Sequence, residues 1–171
     1  VPCLFASFLG AAISGHLGLV PEHYEIGVVP EFGPGSAVYA VILGILCACV
    51  GILLCVSLHH CGHAYRKYFP NPYIRILAGS AIFIVLTLLF PSRLYNGSGE
   101  QIIEKVFEGE AIPVYAFLLK ILFTGAALGA GFKGGEIVPT LTVGAAFGYV
   151  FALATGLPVG LCASAGMACL F

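Results

Sequence analysis

The chain has 171 residues, of which 60% are hydrophobic and 9% charged, and its mean hydropathy is +1.04. Soluble domains carry about 25% charged residues, so the polar cover of a water-soluble globule is missing and a polytopic, all-α membrane protein is expected. A net charge of −1 without a basic stripe argues against nucleic acid as a partner, and the absence of Asp and Trp narrows the acid–base chemistry open to the chain.

Residues 3–20 form a small-residue-rich apolar run that predicts a membrane helix packed closely on another helix. His16 on this run reads as a packed or helix-bridging histidine. Residues 21–36 hold three glutamates, three prolines and three glycines, which predict a loop or short broken helix at a surface. Residues 37–68 begin with an unbroken apolar stretch, Ala37 to Leu58, long enough to cross a ~30 Å hydrocarbon core. Pro70-Asn71-Pro72 ends that helix. Arg66, Lys67 and Arg75 flank the turn and place it on the cytoplasmic side.

Residues 74–90 return across the membrane. Ser98 is the expected cap of a short amphipathic helix at 99–108, with Ile102, Ile103, Val106 and Phe107 on one face. That helix is too short to span and is expected at the interface or partly re-entrant. Residues 113–130 predict another membrane helix, with Lys120 in its middle. A charge there defaults to a functional or paired role, and a structural carbonyl or carboxylate partner is the favoured reading. Further helices follow at 136–156 and from 158. Helices of such unequal length, several interrupted, suit a transporter better than a uniform bundle. No internal sequence repeat is visible.

The seven cysteines sit mostly in apolar runs and read as structural thiols rather than a disulfide framework. Cys55, His59 and His63 fall on one helical stripe. A metal site would need a second ligand group that the sequence does not supply, and histidines at a helix end also suit its dipole. No metal is expected.

The segment Gly129-Ala130-Gly131-Phe132-Lys133-Gly134-Gly135-Glu136-Ile137-Val138-Pro139 separates two apolar runs. A helix that starts inside a membrane has unpaired N–H groups and a positive dipole end, both favourable to an anion. Irregular backbone at that depth must face protein or a watered cavity. Gly134 and Gly135 permit positive φ and close approach of a ligand. Pro139 suits the first helical turn. The N–H groups of Glu136, Ile137 and Val138 are then the candidate anion ligands, with Lys133, Gly134, Gly135 and Pro139 supporting the loop. The competing reading is a plain inter-helix loop whose glycines serve only to turn the chain.

At these residues the chain resembles the CLC family of chloride channels and chloride/proton exchangers. The family's filter carries Gly-x-Phe-x-Pro at a helix start, and Gly135-Glu136-Ile137-Val138-Pro139 fits it except at Ile137. Lys120 before it, Gly144-Ala145-Ala146-Phe147-Gly148 and Ala165-Gly166-Met167-Ala168 after it, and the order of the earlier segments extend the resemblance over nearly the whole chain. The resemblance implies a CLC-type inverted-repeat fold, with residues 1–30 ending one repeat and residues 37–171 making most of the second. It also implies transmembrane chloride transport as a voltage-gated-type channel or chloride/proton antiporter, with no cofactor beyond the transported ion and no enzymatic activity. A homodimer in a bilayer, expected to be a bacterial plasma membrane, goes with it.

The family's other two filter motifs do not occur here, so the segment is expected to supply one wall of a pore. Consistent with that, the chain starts at Val1 and stops at Phe171 within an apolar run, which reads as a cut through a longer protein. Ser98 is not the filter serine, since no Ile-Pro follows it. Glu136 departs from the pattern. It is expected to point away from the pore, pairing with Lys133 or another polar group, and the alternative makes it a proton-carrying or gating group. A Gly-Gly-Glu-Val form also resembles the fluoride/proton branch of the family, which is the alternative for the substrate. The exchangers' internal glutamate has no counterpart before Glu22, which leaves proton coupling open.

Overall fold

The structure, a computed structural model, describes residues 2–18, 33–90 and 92–171. Among these there are seven α-helices and no strand. They are α1 (Pro2–His16), α2 (Pro34–Tyr68), α3 (Pro72–Leu89), α4 (Glu100–Phe107), α5 (Ala116–Ala130), α6 (Ile137–Thr155) and α7 (Val159–Leu170), with a short 3₁₀ turn at Arg93–Tyr95. The expected loop or broken helix at 21–36 lies mostly outside the described residues. By length and composition α2, α3 and α6 can each cross a membrane, whereas α1, α5 and α7 are shorter and apolar.

Local chemistry explains most of the ends. Ser36 Oγ accepts from the N–H of Gly33 at 2.8 Å, and Pro34 occupies the first turn of α2. At the next turn Asn71 accepts the N–H of Tyr73 at 3.0 Å, and Pro72 opens α3, where its missing N–H removes nothing the helix needs. The expected cap of α4 is not Ser98. Gly99 takes that place with φ +91° and no side-chain bond, because the Ser98 carbonyl and the space around Gly99 are claimed from α5 and α6, as described below.

Small residues set the helix crossings, as expected where apolar side chains gain little by leaving lipid. A methyl on Gly129 of α5 would stand 2.9 Å from Cys61 Cβ of α2, so those backbones touch. A methyl on Gly144 of α6 would lie 2.6 Å from the Gly166 carbonyl of α7, and one on Gly148 would lie 2.8 Å from Ala163 Cα. The amphipathic α4 does not lie out at the surface. Its Ile102, Ile103 and Val106 are buried in one cluster with Ala116, Leu119 and Phe123 of α5, Ala145 and Tyr149 of α6, and Ala163 of α7.

Elsewhere the burial differs from the sequence expectation. None of the residues of α1 is buried, and His16 is exposed in its last turn, because nothing in the described part of the chain covers that helix. Among the cysteines only Cys47 and Cys162 are buried, and Cys3, Cys49, Cys55 and Cys169 are exposed. An apolar thiol on the outside of this chain needs no aqueous compensation when its surroundings are lipid or further protein.

Gly99 and Gly156 both hold left-handed backbone, at φ +91° and +73°. An added methyl at Gly156 meets open space, whereas at Gly99 it would stand 2.7 Å from Lys120 Cε and 2.9 Å from Thr142 Cγ2. We therefore expect Gly156→Ala to lose only the conformational term, roughly 1 kcal/mol. Gly99→Ala should lower the thermal midpoint of the purified protein clearly further. Equal losses would refute the close contact with Lys120.

Candidate anion site at the start of α6

The break between α5 and α6 runs from Gly131 to Glu136. Gly131 closes α5 in left-handed conformation at φ +99°. Its N–H reaches the Leu128 carbonyl at 3.0 Å, and that of Phe132 reaches the Ala127 carbonyl at 3.4 Å, the usual way a helix end satisfies its last carbonyls. From α3, Arg75 Nε donates to the Ala130 carbonyl at 3.3 Å, bringing a positive charge to the negative end of α5. The positive φ expected at Gly134 and Gly135 is absent, and Gly131 carries it instead. Turning the chain out of α5 is what demands that conformation. At Gly135 an added methyl would meet nothing within 4 Å, so what its missing Cβ provides there is open space.

Glu136 is the residue before α6. Its carbonyl accepts the N–H of Thr140 at 3.1 Å and the Thr140 hydroxyl at 2.7 Å. Pro139 has no N–H to offer. The N–H groups of Glu136, Ile137 and Val138 have no acceptor among the described residues, as the first turn of a helix requires. Residues 131–137 are all exposed, Ile137 at 57%.

Two recesses meet at this break. The first, about 460 Å³, is lined by Lys133, Gly134, Gly135, Val138 and Pro139 of the break and by Tyr95, Gly97 and Ser98 of the loop before α4. Lys120, Phe123 and Thr124 of α5 complete that wall. The second, about 430 Å³ and more polar, is lined by Cys55, His59, His63 and Arg66 of α2, Arg75 of α3, Gly129, Gly131 and Glu136. Lys133 and Glu136 therefore border different recesses, and the expected Lys133–Glu136 pair is absent. Among the described residues the ion pair recorded is Lys105–Glu110. Ile137 lines neither recess.

Lys120 has the carbonyl partners that its place in an apolar helix predicted. Its Nζ donates to Gly97 O at 2.8 Å and Tyr95 O at 3.3 Å. Thr142 of α6 sequence reasoning missed. Its hydroxyl lies 2.9 Å from Val138 O and 3.4 Å from Ser98 O, tying the start of α6 to the loop before α4. The available signal was a hydroxyl about one turn beyond the break in a mostly apolar helix.

Long apolar helices that cross on glycine, with a helix start between two recesses whose N–H groups have no acceptor among the described residues, define an integral membrane protein. The chain belongs to the voltage gated chloride channel family, whose profile matches residues 1–171. A chloride/fluoride channel protein of Pseudomonas syringae pv. tomato is 30% identical to it over 176 residues, covering 99% of this chain and 39% of the relative. An uncharacterized protein of Methanocaldococcus jannaschii is 32% identical over 113 residues, covering 60% of this chain and 28% of that one. Among solved structures, the crystal structure of a CLC-type fluoride/proton antiporter superposes with a TM-score of 0.92 at 29% identity. That match covers 99% of this chain and 43% of the antiporter. The chain thus spans well under half the length of these relatives.

Proposed function

We propose that the protein to which this segment belongs carries small monovalent anions, chloride first among them, across a membrane. One observation carries the reading: the N–H groups of Glu136, Ile137 and Val138 stand without acceptors among the described residues at an interrupted helix start. An array of partial charges can replace part of an ion's hydration without holding the ion too tightly to release it. Gly134, Gly135 and Pro139 shape that start, and Lys133 adds positive charge beside it. Glu136 lines the second recess and not the first.

In this reading residues 1–30 end one inverted repeat and residues 37–171 form most of the next, and the remainder of the protein closes the pathway. The working unit is a homodimer in a bacterial plasma membrane. The event is transport rather than covalent catalysis, and the ion itself is the only ligand required.

A second reading, fluoride exchanged for protons, is favoured by the close superposition on an antiporter of that description. Efflux from liposomes containing the full-length protein, with chloride, fluoride and external pH followed together, separates the two. Chloride efflux well above that of empty liposomes is the expected result. Fluoride efflux with proton movement and little chloride would select the second reading, and no anion flux would overturn both.

A further inference from the structure

The second recess differs from the first in what lines it. Its charged side chains are Arg66 of α2, Arg75 of α3 and Glu136, and Cys55, His59 and His63 of α2 complete the polar wall. Among the described residues neither guanidinium forms an ion pair, and Arg66 makes no hydrogen bond. Arg75 uses only its Nε, on the Ala130 carbonyl at 3.3 Å, which leaves its other N–H donors free. A methyl on Gly131 would stand 3.5 Å from Arg75 Nη2, so that glycine leaves the guanidinium uncovered.

The depth of the recess follows from α2. Its apolar part, Ala37 to Leu58, is about 33 Å long and matches a hydrocarbon core of ~30 Å. His59, His63 and Arg66 therefore come at the level of the lipid headgroups. Arg66, Lys67 and Arg75 flank the turn between α2 and α3, and basic residues in such a turn mark the cytoplasmic side.

Shape and charge decide what such a recess can hold. At about 430 Å³ it has room for a polyatomic ion. Two planar guanidiniums present paired N–H donors, a pattern that fits the oxygens of a phosphate better than a single spherical ion. The two arginines outnumber Glu136, so the wall stays net positive even with both histidines neutral. Basic pockets between membrane helices at the cytoplasmic surface suit anionic headgroups.

We propose that the second recess binds a phosphate group, with Arg66 and Arg75 as its ligands. The group belongs to the headgroup of an anionic lipid or to a soluble phosphate, and the wall offers the same chemistry to both. The proposal does not depend on which ion the protein carries.

The test titrates the full-length protein in detergent micelles at about 0.15 M salt, where loose surface attraction is screened. Short-chain phosphatidylglycerol and inorganic phosphate are added in separate series, with bound copies counted by native mass spectrometry. Saturable binding of phosphatidylglycerol alone identifies a lipid headgroup as the source, and saturable binding of inorganic phosphate identifies a soluble one. Arg66 is exposed, so Arg66→Gln should keep the thermal midpoint of the ligand-free protein while weakening binding about tenfold or more. Arg75→Lys keeps the charge and a donor for Ala130 but loses the fork, and should weaken binding at least about threefold. Lys67→Gln removes a neighbouring charge that does not line the recess, and should stay within about threefold of wild type. Equal weakening by Arg66→Gln and Lys67→Gln would mean diffuse surface charge and overturn the proposal. Wild type that binds neither ligand saturably would overturn it as well.

Discussion

Gly148→Leu should leave little folded protein, and Gly148→Ala should already lower the thermal midpoint by the equivalent of about 3 kcal/mol, in the upper part of the range for overpacked sites. The reason lies in what stands against Gly148. A methyl there would run into the Cys162 carbonyl and come within 2.8 Å of Ala163 Cα, both of them backbone of α7. Rotamer changes relieve a clash with a side chain, but this one is relieved only by moving α7. Gly144 and Gly166 make the same kind of contact one turn away, so the two helices cannot part at one point and close at the other. Moving α7 would also disturb Ala163, which shares a core with Ala145 and Tyr149 of α6 and with α4. The start of α6, and with it the candidate site, would shift. Trimming the neighbour should not help: Gly148→Ala combined with Cys162→Gly is expected to remain as unstable as Gly148→Ala alone. Thermal denaturation of the detergent-purified protein measures both, and rescue by the trimmed partner would refute a backbone contact.

Local rules and tertiary choices were not equally legible in the sequence. Proline placement and unbroken apolar length act within a few residues, so the ends of α2 and α3 could be read to within about three positions. Lys120 was legible for a different reason. A lone charge in an apolar helix must find partners, and carbonyls were the nearest supply. The identity of those carbonyls was not legible, because Tyr95 and Gly97 reach Lys120 only once α5 is packed beside the loop before α4.

The same limit explains the misassigned cap of α4. Ser98 has the right side chain at the right spacing, yet its carbonyl faces Thr142, and Gly99 takes the left-handed turn beside Lys120. At the break, composition pointed to a bend and an open approach, but not to which glycine bends. Gly131 does so because it ends a helix, whereas Gly134 and Gly135 hold no positive φ and Gly135 leaves open space. Three positions of separation suggested a Lys133–Glu136 pair, and only the folded chain shows the two residues bordering different recesses.

Replacing the peptide N–H of Ile137 or Val138 by an ester oxygen should weaken halide affinity by about tenfold or more per position while leaving the thermal midpoint nearly unchanged. These N–H groups have no acceptor in the described protein, so removing one breaks no intramolecular bond. A hydrogen bond to a charged group contributes roughly 1.5–3 kcal/mol, and each 1.4 kcal/mol is a factor of ten in affinity. The ester keeps side chain, length and planarity, which a proline at the same place would not. A matching ester at Phe147, well inside α6, supplies the opposite case. There the N–H belongs to the helix ladder, so stability should fall and half-saturation should hold. The two effects thus separate along a single helix: an N–H bonded to the helix contributes to the fold, and an N–H free at its start contributes to the ion. If the esters at Ile137 and Val138 instead lower stability and leave halide half-saturation untouched, those N–H groups are bonded within the full-length protein and cannot be the ligands.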